Sequence, residues 1–181
     1  MKLTYNLADG EDYVFQTSLS GALSHIPTRW SRKAIFDSGQ KTTAAPIVAT
    51  DRNSSKSSSP VLDVYFSRNL PKSQNIVFNA VGTYIHTTSM SSYNEGGNYA
   101  YDVKGRTYSF MSEGIYERKI KPLTFSMGIN YKQKYTKNEY TGSTTALNNM
   151  HNSRLYLFAD ATGAWNDFRY SVGVGVSYLH H

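Results

Sequence analysis

The chain has 181 residues, carries a net charge of +6 and contains no cysteine. The length suits one all-β domain, and the lack of thiols excludes a disulfide framework and a thiolate metal site. Aromatic residues make up 14% of the chain, with 15 tyrosines among them. Tyrosine favours strands and interfaces that have one apolar side and one hydrated side. No apolar run reaches the roughly 18 residues that a membrane-spanning helix needs, and no signal peptide is visible at the start.

Alternation of apolar and polar residues predicts strands that come in pairs. In the segment 123–137, for example, Phe125 and Met127 alternate with polar or small residues, as expected for a strand with one apolar face. Turn-forming residues such as Asp9-Gly10 separate the members of a pair. The predicted strands are 2–7, 13–23, 60–67, 75–87, 105–119, 123–137, 155–161 and 170–178.

Three longer segments without alternation predict loops: 25–59, 88–104 and 140–150. The first is rich in serine at 50–59, and we expect a long loop of the extracellular type there. Long strands with short turns at one end and long loops at the other are typical of outer-membrane barrels. The sequence therefore predicts one all-β domain over 1–181, an antiparallel up-and-down meander of about eight long strands. It is an outer-membrane β-barrel or a segment of one.

Charged residues on the polar side of the predicted strands are candidates for lining a barrel lumen. Such residues pair across strands or set the preference for a solute. Ordinary solvated positions are the alternative interpretation. The candidates are Asp63, Glu113, Glu117, Lys132, Arg154 and Asp160.

Aromatic residues gather near both ends of the predicted strands. Two such bands are typical of the aromatic girdles at the two membrane interfaces, although the general preference of aromatic residues for strands also explains them. The candidates near the short turns are Tyr116, Phe125, Trp165, Phe168 and Tyr170. Those towards the long loops are Tyr84, Tyr108, Tyr131, Tyr135 and Tyr178.

The sequence contains no HExxH, GxSxG or Walker-type motif. His86, Asp63 and Ser67 are candidates for a barrel enzyme acting on lipid or peptide, but no pattern in the sequence brings them together. Lysines and tyrosines alternate in 131–135, so they lie on opposite faces and do not favour stacking on nucleic acid. We expect no enzymatic activity, no cofactor, no metal and no nucleic-acid partner.

Three segments carry a family resemblance: PVLDVYFSRNLPKSQNIVFNAVGTYI (60–85), LTFSMGINYKQKYTKNEYTG (123–142) and SRLYLFADATGAWNDFRYSVGVGVSYLHH (153–181). The first combines a strand, an Asn-Leu-Pro-Lys turn and an aromatic return strand. The chain thereby resembles the outer-membrane β-barrel family of Bacteroidota, the barrel part of TonB-dependent-receptor-like proteins. The resemblance implies an outer-membrane location and, in full-length relatives, uptake of large nutrients through a plugged barrel energised by TonB. The 181 residues depart from those relatives in showing no plug-domain or TonB-box pattern and no usual terminal aromatic.

The predicted function is a scaffold for uptake of a nutrient across the outer membrane. Expected partners are outer-membrane lipid, the remaining strands or plug of a parent protein, and a surface lipoprotein. Two alternatives stay open, namely a complete small eight-stranded barrel for adhesion or anchoring and a soluble periplasmic or cell-surface β-sandwich that binds a ligand. We expect the final hairpin, 152–181, to continue into another strand of a longer barrel.

Overall fold

The computed structural model describes residues 1–10, 12–34, 47–94, 98–142, 144–165 and 168–180. They form one antiparallel sheet in which each strand lies beside its neighbours in sequence. This up-and-down meander of eight strands confirms the predicted fold class. The strands are β1 (Lys2–Asp9), β2 (Tyr13–Ala34), β3 (Ile47–Leu70), β4 (Gln74–Asn94), β5 (Asn98–Ile120), β6 (Leu123–Thr141), β7 (Thr145–Trp165) and β8 (Phe168–His180).

At one end of the sheet only a few residues separate the two strands of each predicted pair, and we call this end the turn end. Gly10, after β1, has a φ of +51°, a conformation that glycine adopts without steric cost. Between β3 and β4, Lys72 and Ser73 have φ values of 63° and 56°. The Gln74 Nε2 group donates a hydrogen bond of 3.0 Å to the Pro71 carbonyl oxygen, which closes this turn.

The structure corrects the predicted loop over 25–59. Strands β2 and β3 pair from Tyr13 and Arg68 as far as Ala34 and Ile47, so the prediction of a loop is wrong for 25–34 and 47–59. Residues 35–46 lie outside the described part of the chain. The ladder uses backbone N–H and C=O groups, so it continues where both faces are polar and the sequence shows no alternation.

The other two predicted loops are also shorter than expected. Strands β4 and β5 pair as far as Asn94 and Asn98, and β6 and β7 pair as far as Thr141 and Thr145. Most of 88–104 and 140–150 is therefore strand rather than loop. The strands β2 to β7 run for 19 to 24 residues, well beyond the roughly 9–11 residues that cross a bilayer.

The pairing register sorts the side chains into two faces, because directly opposed residues point to the same side of a sheet. One row runs across six strands through Phe66, Phe78, Gly114, Ile129, Leu157 and Val176. We call the side that carries this row the band face. The opposite side is the polar face, and it carries residues such as Asp63, Asn79, Glu113 and Asn130.

The sheet has a single layer and two open edges. Among the described residues, β1 contacts only β2 and β8 contacts only β7. No large side chain in this part of the chain is fully buried. A soluble sandwich needs a second sheet packed about 10 Å away to form its core, and a closed barrel needs its first and last strands to pair; the described sheet has neither feature. The described residues also include no helix that is long and apolar enough to cross a membrane.

Candidate membrane-spanning surface and lumen lining

The band face carries exposed apolar side chains over the part of the sheet nearest the turn end. Phe78 on β4 is 41% exposed, Ile129 on β6 46% and Val174 on β8 72%. On β4 the apolar positions run from Ile76 to Tyr84, which at about 3.4 Å per residue in an antiparallel strand extends about 27 Å along the strand. An apolar band about 25 Å tall is what a barrel presents to lipid. The exposed apolar side chains of the band face therefore form a surface suited to contact with lipid.

The aromatic candidates with described side chains all lie on the band face. At the turn end, Tyr116 lies opposite Ile76 and Met127, and Tyr170 lies opposite Gly163. Phe125 and Phe168 lie at the same end. Trp165 ends β7, but its side chain lies outside the described part of the structure. The assignment of these residues to a girdle remains a prediction.

The aromatic candidates at the far end of the apolar band are Tyr84, Tyr108, Tyr131, Tyr135 and Tyr178, also on the band face. The ring centroids of Tyr84 and Tyr108 are 4.7 Å apart, and those of Tyr108 and Tyr135 are 6.4 Å apart. His151 and His180 extend this line of ring contacts at 6.5 Å and 6.0 Å. Together, Tyr84, Tyr108 and Tyr135 form a ridge across three strands, which we call the far girdle.

All six lumen candidates lie on the opposite, polar face. Their role in lining a lumen remains a prediction, but the register shows what each of them faces. None of the four carboxylates is directly opposed to Lys132 or Arg154, so no ion pair forms between directly opposed candidates. The six residues are Asp63, Glu113, Glu117, Lys132, Arg154 and Asp160.

The carboxylates contact neutral or same-strand partners instead. The Asn130 Nδ2 group donates a hydrogen bond of 3.5 Å to Glu113 Oε1. Glu117 Oε1 lies 3.8 Å from the Nζ atom of Lys119 on its own strand. Asp160 Oδ1 is buried and has no hydrogen-bond partner in the described structure. Asp63 borders a polar hollow of about 240 Å³ that is lined by Gln16, Ser18, Asp63, Tyr65 and Asn79.

The two cationic candidates are brought together. Lys132 on β6 lies directly opposite Arg154 on β7, and Lys134 is the next residue of β6 on the same face. Lys132 faces Met111 on its other side, and Arg154 Nε donates a hydrogen bond of 3.2 Å to Ser177 Oγ. Lys132, Lys134 and Arg154 form an electropositive patch, which we call the inner cation patch.

The structure separates the three residues that were considered as candidates for a barrel enzyme. Asp63 and Ser67 lie on the polar face, opposite Val81 and Val77. His86 lies on the band face, opposite Ser58 and Arg106. A general base must lie within hydrogen-bond reach of the group it activates, so His86 cannot act with the other two. The described residues also bring together no group of three or more potential metal ligands.

Sequence reasoning missed a row of cations on the band face beyond the far girdle. Lys56 and Lys104 lie inside segments that were predicted as loops, so no face was assigned to them. The structure places them on β3 and β5, on the same face as Arg106 and Lys137 and two residues further from the far girdle. Alternation gives no signal in this region, because both faces of the sheet are polar there.

The fold of this long-stranded meander is similar to that of a solved outer-membrane receptor. The chain is similar to the ferric yersiniabactin uptake receptor FyuA from Yersinia pestis, with 10% sequence identity and a TM-score of 0.50. The match covers 90% of this chain and 27% of that receptor. The chain has the fold of an outer-membrane β-barrel or of a segment of one. It spans about a quarter of the receptor's length.

Two other outer-membrane proteins are similar at a lower level. The translocator domain of the autotransporter NalP from Neisseria meningitidis is 9% identical, with a TM-score of 0.42, over 99% of this chain and 59% of that domain. The outer-membrane transporter YddB from Escherichia coli is 11% identical, with a TM-score of 0.36, over 98% of this chain and 33% of that protein. No protein-family model and no curated protein sequence matches the chain.

Proposed function

We propose that the chain forms part of the wall of a TonB-dependent-receptor-like barrel in the outer membrane and serves as a scaffold for nutrient uptake. The observation that carries the proposal is the division of one sheet into an exposed apolar band and a charged opposite face. Lipid solvates the first face and water the second. The similarity to an uptake receptor at 10% identity supports the fold of this wall.

The open edges indicate what the wall needs as partners. Backbone N–H and C=O groups that face lipid must be hydrogen-bonded within the protein, and β1 and β8 each present one unpaired edge. Further strands of a parent barrel satisfy these groups on both sides. In the proposed function a plug fills the resulting lumen, a surface lipoprotein covers its mouth, and outer-membrane lipid surrounds the band face.

On the polar face, positive charges are concentrated at one level along strands β6 and β7. The inner cation patch of Lys132, Lys134 and Arg154 has no directly opposed carboxylate. A cluster of one sign with low-dielectric walls concentrates ions of the opposite sign. We therefore propose that the solute passing this patch is anionic. Neither enzymatic activity nor nucleic-acid binding is part of the proposed function.

The location is tested by refolding the purified chain with and without membrane mimetics. We expect strand-rich circular dichroism and a monodisperse species in detergent micelles or phosphatidylcholine vesicles, and aggregation in plain buffer. A folded, monodisperse protein in plain buffer would contradict the proposal.

Uptake is tested in cells that lack the gene, by comparing entry of anionic and cationic nutrients with the parent strain. Unchanged entry of all of them would contradict the transport role.

A further inference from the structure

A row of exposed cations follows the far girdle on the band face, outside the apolar band. Lys56, Lys104 and Arg106 are exposed and Lys137 is partly exposed. Arg106 lies directly opposite Lys137, while Lys104 and Lys56 both lie opposite Thr88, one on each side of β4. We call Lys56, Lys104, Arg106 and Lys137 the outer cation row.

The outer cation row lies at two levels beyond the far girdle, with Arg106 and Lys137 at the first level and Lys56 and Lys104 at the second. Arg106 comes two residues beyond Tyr108 on β5, and Lys137 two residues beyond Tyr135 on β6. Two residues of strand rise about 7 Å, so the charges begin about 7 Å beyond the tyrosine rings. Tyrosines of such girdles sit at the level of the lipid headgroups. Arg106 and Lys137 therefore lie at the level of the charged groups of the headgroups, and Lys56 and Lys104 lie about 7 Å further out along their strands.

The charge of this region is unbalanced. Beyond the far girdle, the described side chains of the band face include six cations, namely Arg29, Arg52, Lys56, Lys104, Arg106 and Lys137. They include two carboxylates, Asp102 and Glu139. Glu139 Oε1 accepts from Lys137 Nζ at 3.0 Å, and Glu139 also lies directly opposite Lys104. This carboxylate offsets one of the four charges of the row, which leaves a net charge of about +3 to attract an anion.

We propose that the outer cation row binds the phosphate groups of anionic lipids in the leaflet that meets the end of the sheet opposite the turns. This inference rests on the proposed membrane location of the apolar band. Lysine ammonium groups attract phosphate as point charges, and the arginine guanidinium binds it through two parallel N–H donors. Lys56 and Lys104 lie at the same level two strands apart, about 10 Å, so the row spans two phosphate groups. A surface-bound polybasic cluster recognises lipid by the same chemistry.

The test compares lipid binding by three forms of the full chain in detergent micelles. The first is the wild type, and the second replaces the row with Lys56→Gln, Lys104→Gln, Arg106→Gln and Lys137→Gln. The control removes the same charge from the polar face with Lys2→Gln, Lys132→Gln, Lys134→Gln and Arg154→Gln. Lipid A, a glycolipid with two phosphates, is the probe, phosphatidylcholine is the neutral reference, and glucosamine 1-phosphate is the soluble reference. Bound lipid is counted by native mass spectrometry during a titration.

We expect the wild type and the polar-face control to bind lipid A, and the row variant to bind it at least about a hundredfold more weakly, at about fivefold per cation. Equal weakening in both variants would overturn the proposal, as would equal binding of lipid A and phosphatidylcholine by the wild type. Binding of glucosamine 1-phosphate as tight as that of lipid A would overturn the assignment to a lipid. Strand-rich circular dichroism of the row variant in micelles excludes unfolding as the cause. Failure of the wild type to fold in any micelle or vesicle is a different outcome, since it contradicts the proposed function itself.

Discussion

Lys132 and Arg154 occupy directly opposed positions on neighbouring strands β6 and β7, on the face that carries the charged lumen candidates. Two like charges in such a pair destabilise a sheet. Neither residue has a carboxylate directly opposite on its other side, where Met111 and Leu179 lie. The arrangement costs stability in the free chain and is consistent with a site for an anionic solute.

Reversing one charge of this pair should stabilise the fold. The substitution Lys132→Glu replaces a repulsive pair by an attractive one, and we expect a gain of about 0.5–1 kcal/mol in the free energy of unfolding. Lys134→Glu is the matched control, because its opposed residues are the neutral Ser109 and Asn152. Urea titrations in micelles, followed by tryptophan fluorescence, measure both. An equal shift for the two variants would show that net charge, and not the pair, is responsible.

The two faces should respond differently to a new charge at the same height. Ile129→Arg places a cation on the exposed apolar band, and we expect it to destabilise the vesicle-inserted protein by about 2–4 kcal/mol. Asn130→Arg places the cation on the polar face, opposite Glu113, where a carboxylate compensates it. We expect a loss below about 1 kcal/mol there. Denaturant titrations in phosphatidylcholine vesicles measure both losses, and similar values would contradict the assignment of the faces.

The sequence predicts the fold class correctly but underestimates the lengths of the strands. Alternation in β6, from Leu123 to Tyr131, is visible because one face is apolar. Residues 53–59 of β3, which lie away from the turn end, are polar on both faces, yet they pair with β2 along their whole length. Backbone hydrogen bonds hold that region together, and they leave no periodic signal in the side chains.

The candidate site shows the same limit at finer scale. The sequence assigned Lys132 and Arg154 to the polar side of their strands, which the register agrees with. Alternation tells which side a residue faces, but not which residue of the next strand lies opposite it. For this reason the sequence did not reveal that Lys132 and Arg154 are directly opposed, and the row of Lys56 and Lys104 was not foreseen.

The tyrosine rings of the far girdle should contribute to stability through ring contacts. Tyr108 contacts both Tyr84 and Tyr135, so Tyr108→Ala should lower the free energy of unfolding by about 1–3 kcal/mol, since aromatic pairs contribute about 0.5–1.5 kcal/mol each. Tyr108→Phe keeps the rings and should lose less. Tyr101→Ala serves as a control, because Tyr101 lies on the polar face and is 54% exposed. Thermal unfolding in micelles ranks the three variants, and a loss for Tyr101→Ala equal to that of Tyr108→Ala would contradict the girdle.

The carboxyl of Glu139 should have a pKa below its ordinary value. The hydrogen bond and the charge of Lys137 lower the pKa of the Glu139 carboxyl, with smaller contributions from Arg106 and Lys104. Because the folded pKa lies below the unfolded one, the pair stabilises the fold above the unfolded value, and this contribution is lost as the pH falls through the folded value. Lys137→Gln should raise the pKa of Glu139 more than Lys104→Gln does. Carboxyl chemical shifts followed by NMR through a pH titration measure the change, and equal shifts would contradict the assignment to Lys137.

The central claim, that one face of the sheet meets lipid and the other meets water, is tested by labelling β6. The chain lacks cysteine, so single cysteines at Ser126, Met127, Ile129 and Asn130 each carry one spin label in a vesicle-inserted protein. We predict that labels at Met127 and Ile129 are relaxed by lipid-soluble oxygen, and those at Ser126 and Asn130 by a water-soluble nickel complex. Equal access of the nickel complex to all four positions would contradict a membrane-spanning sheet.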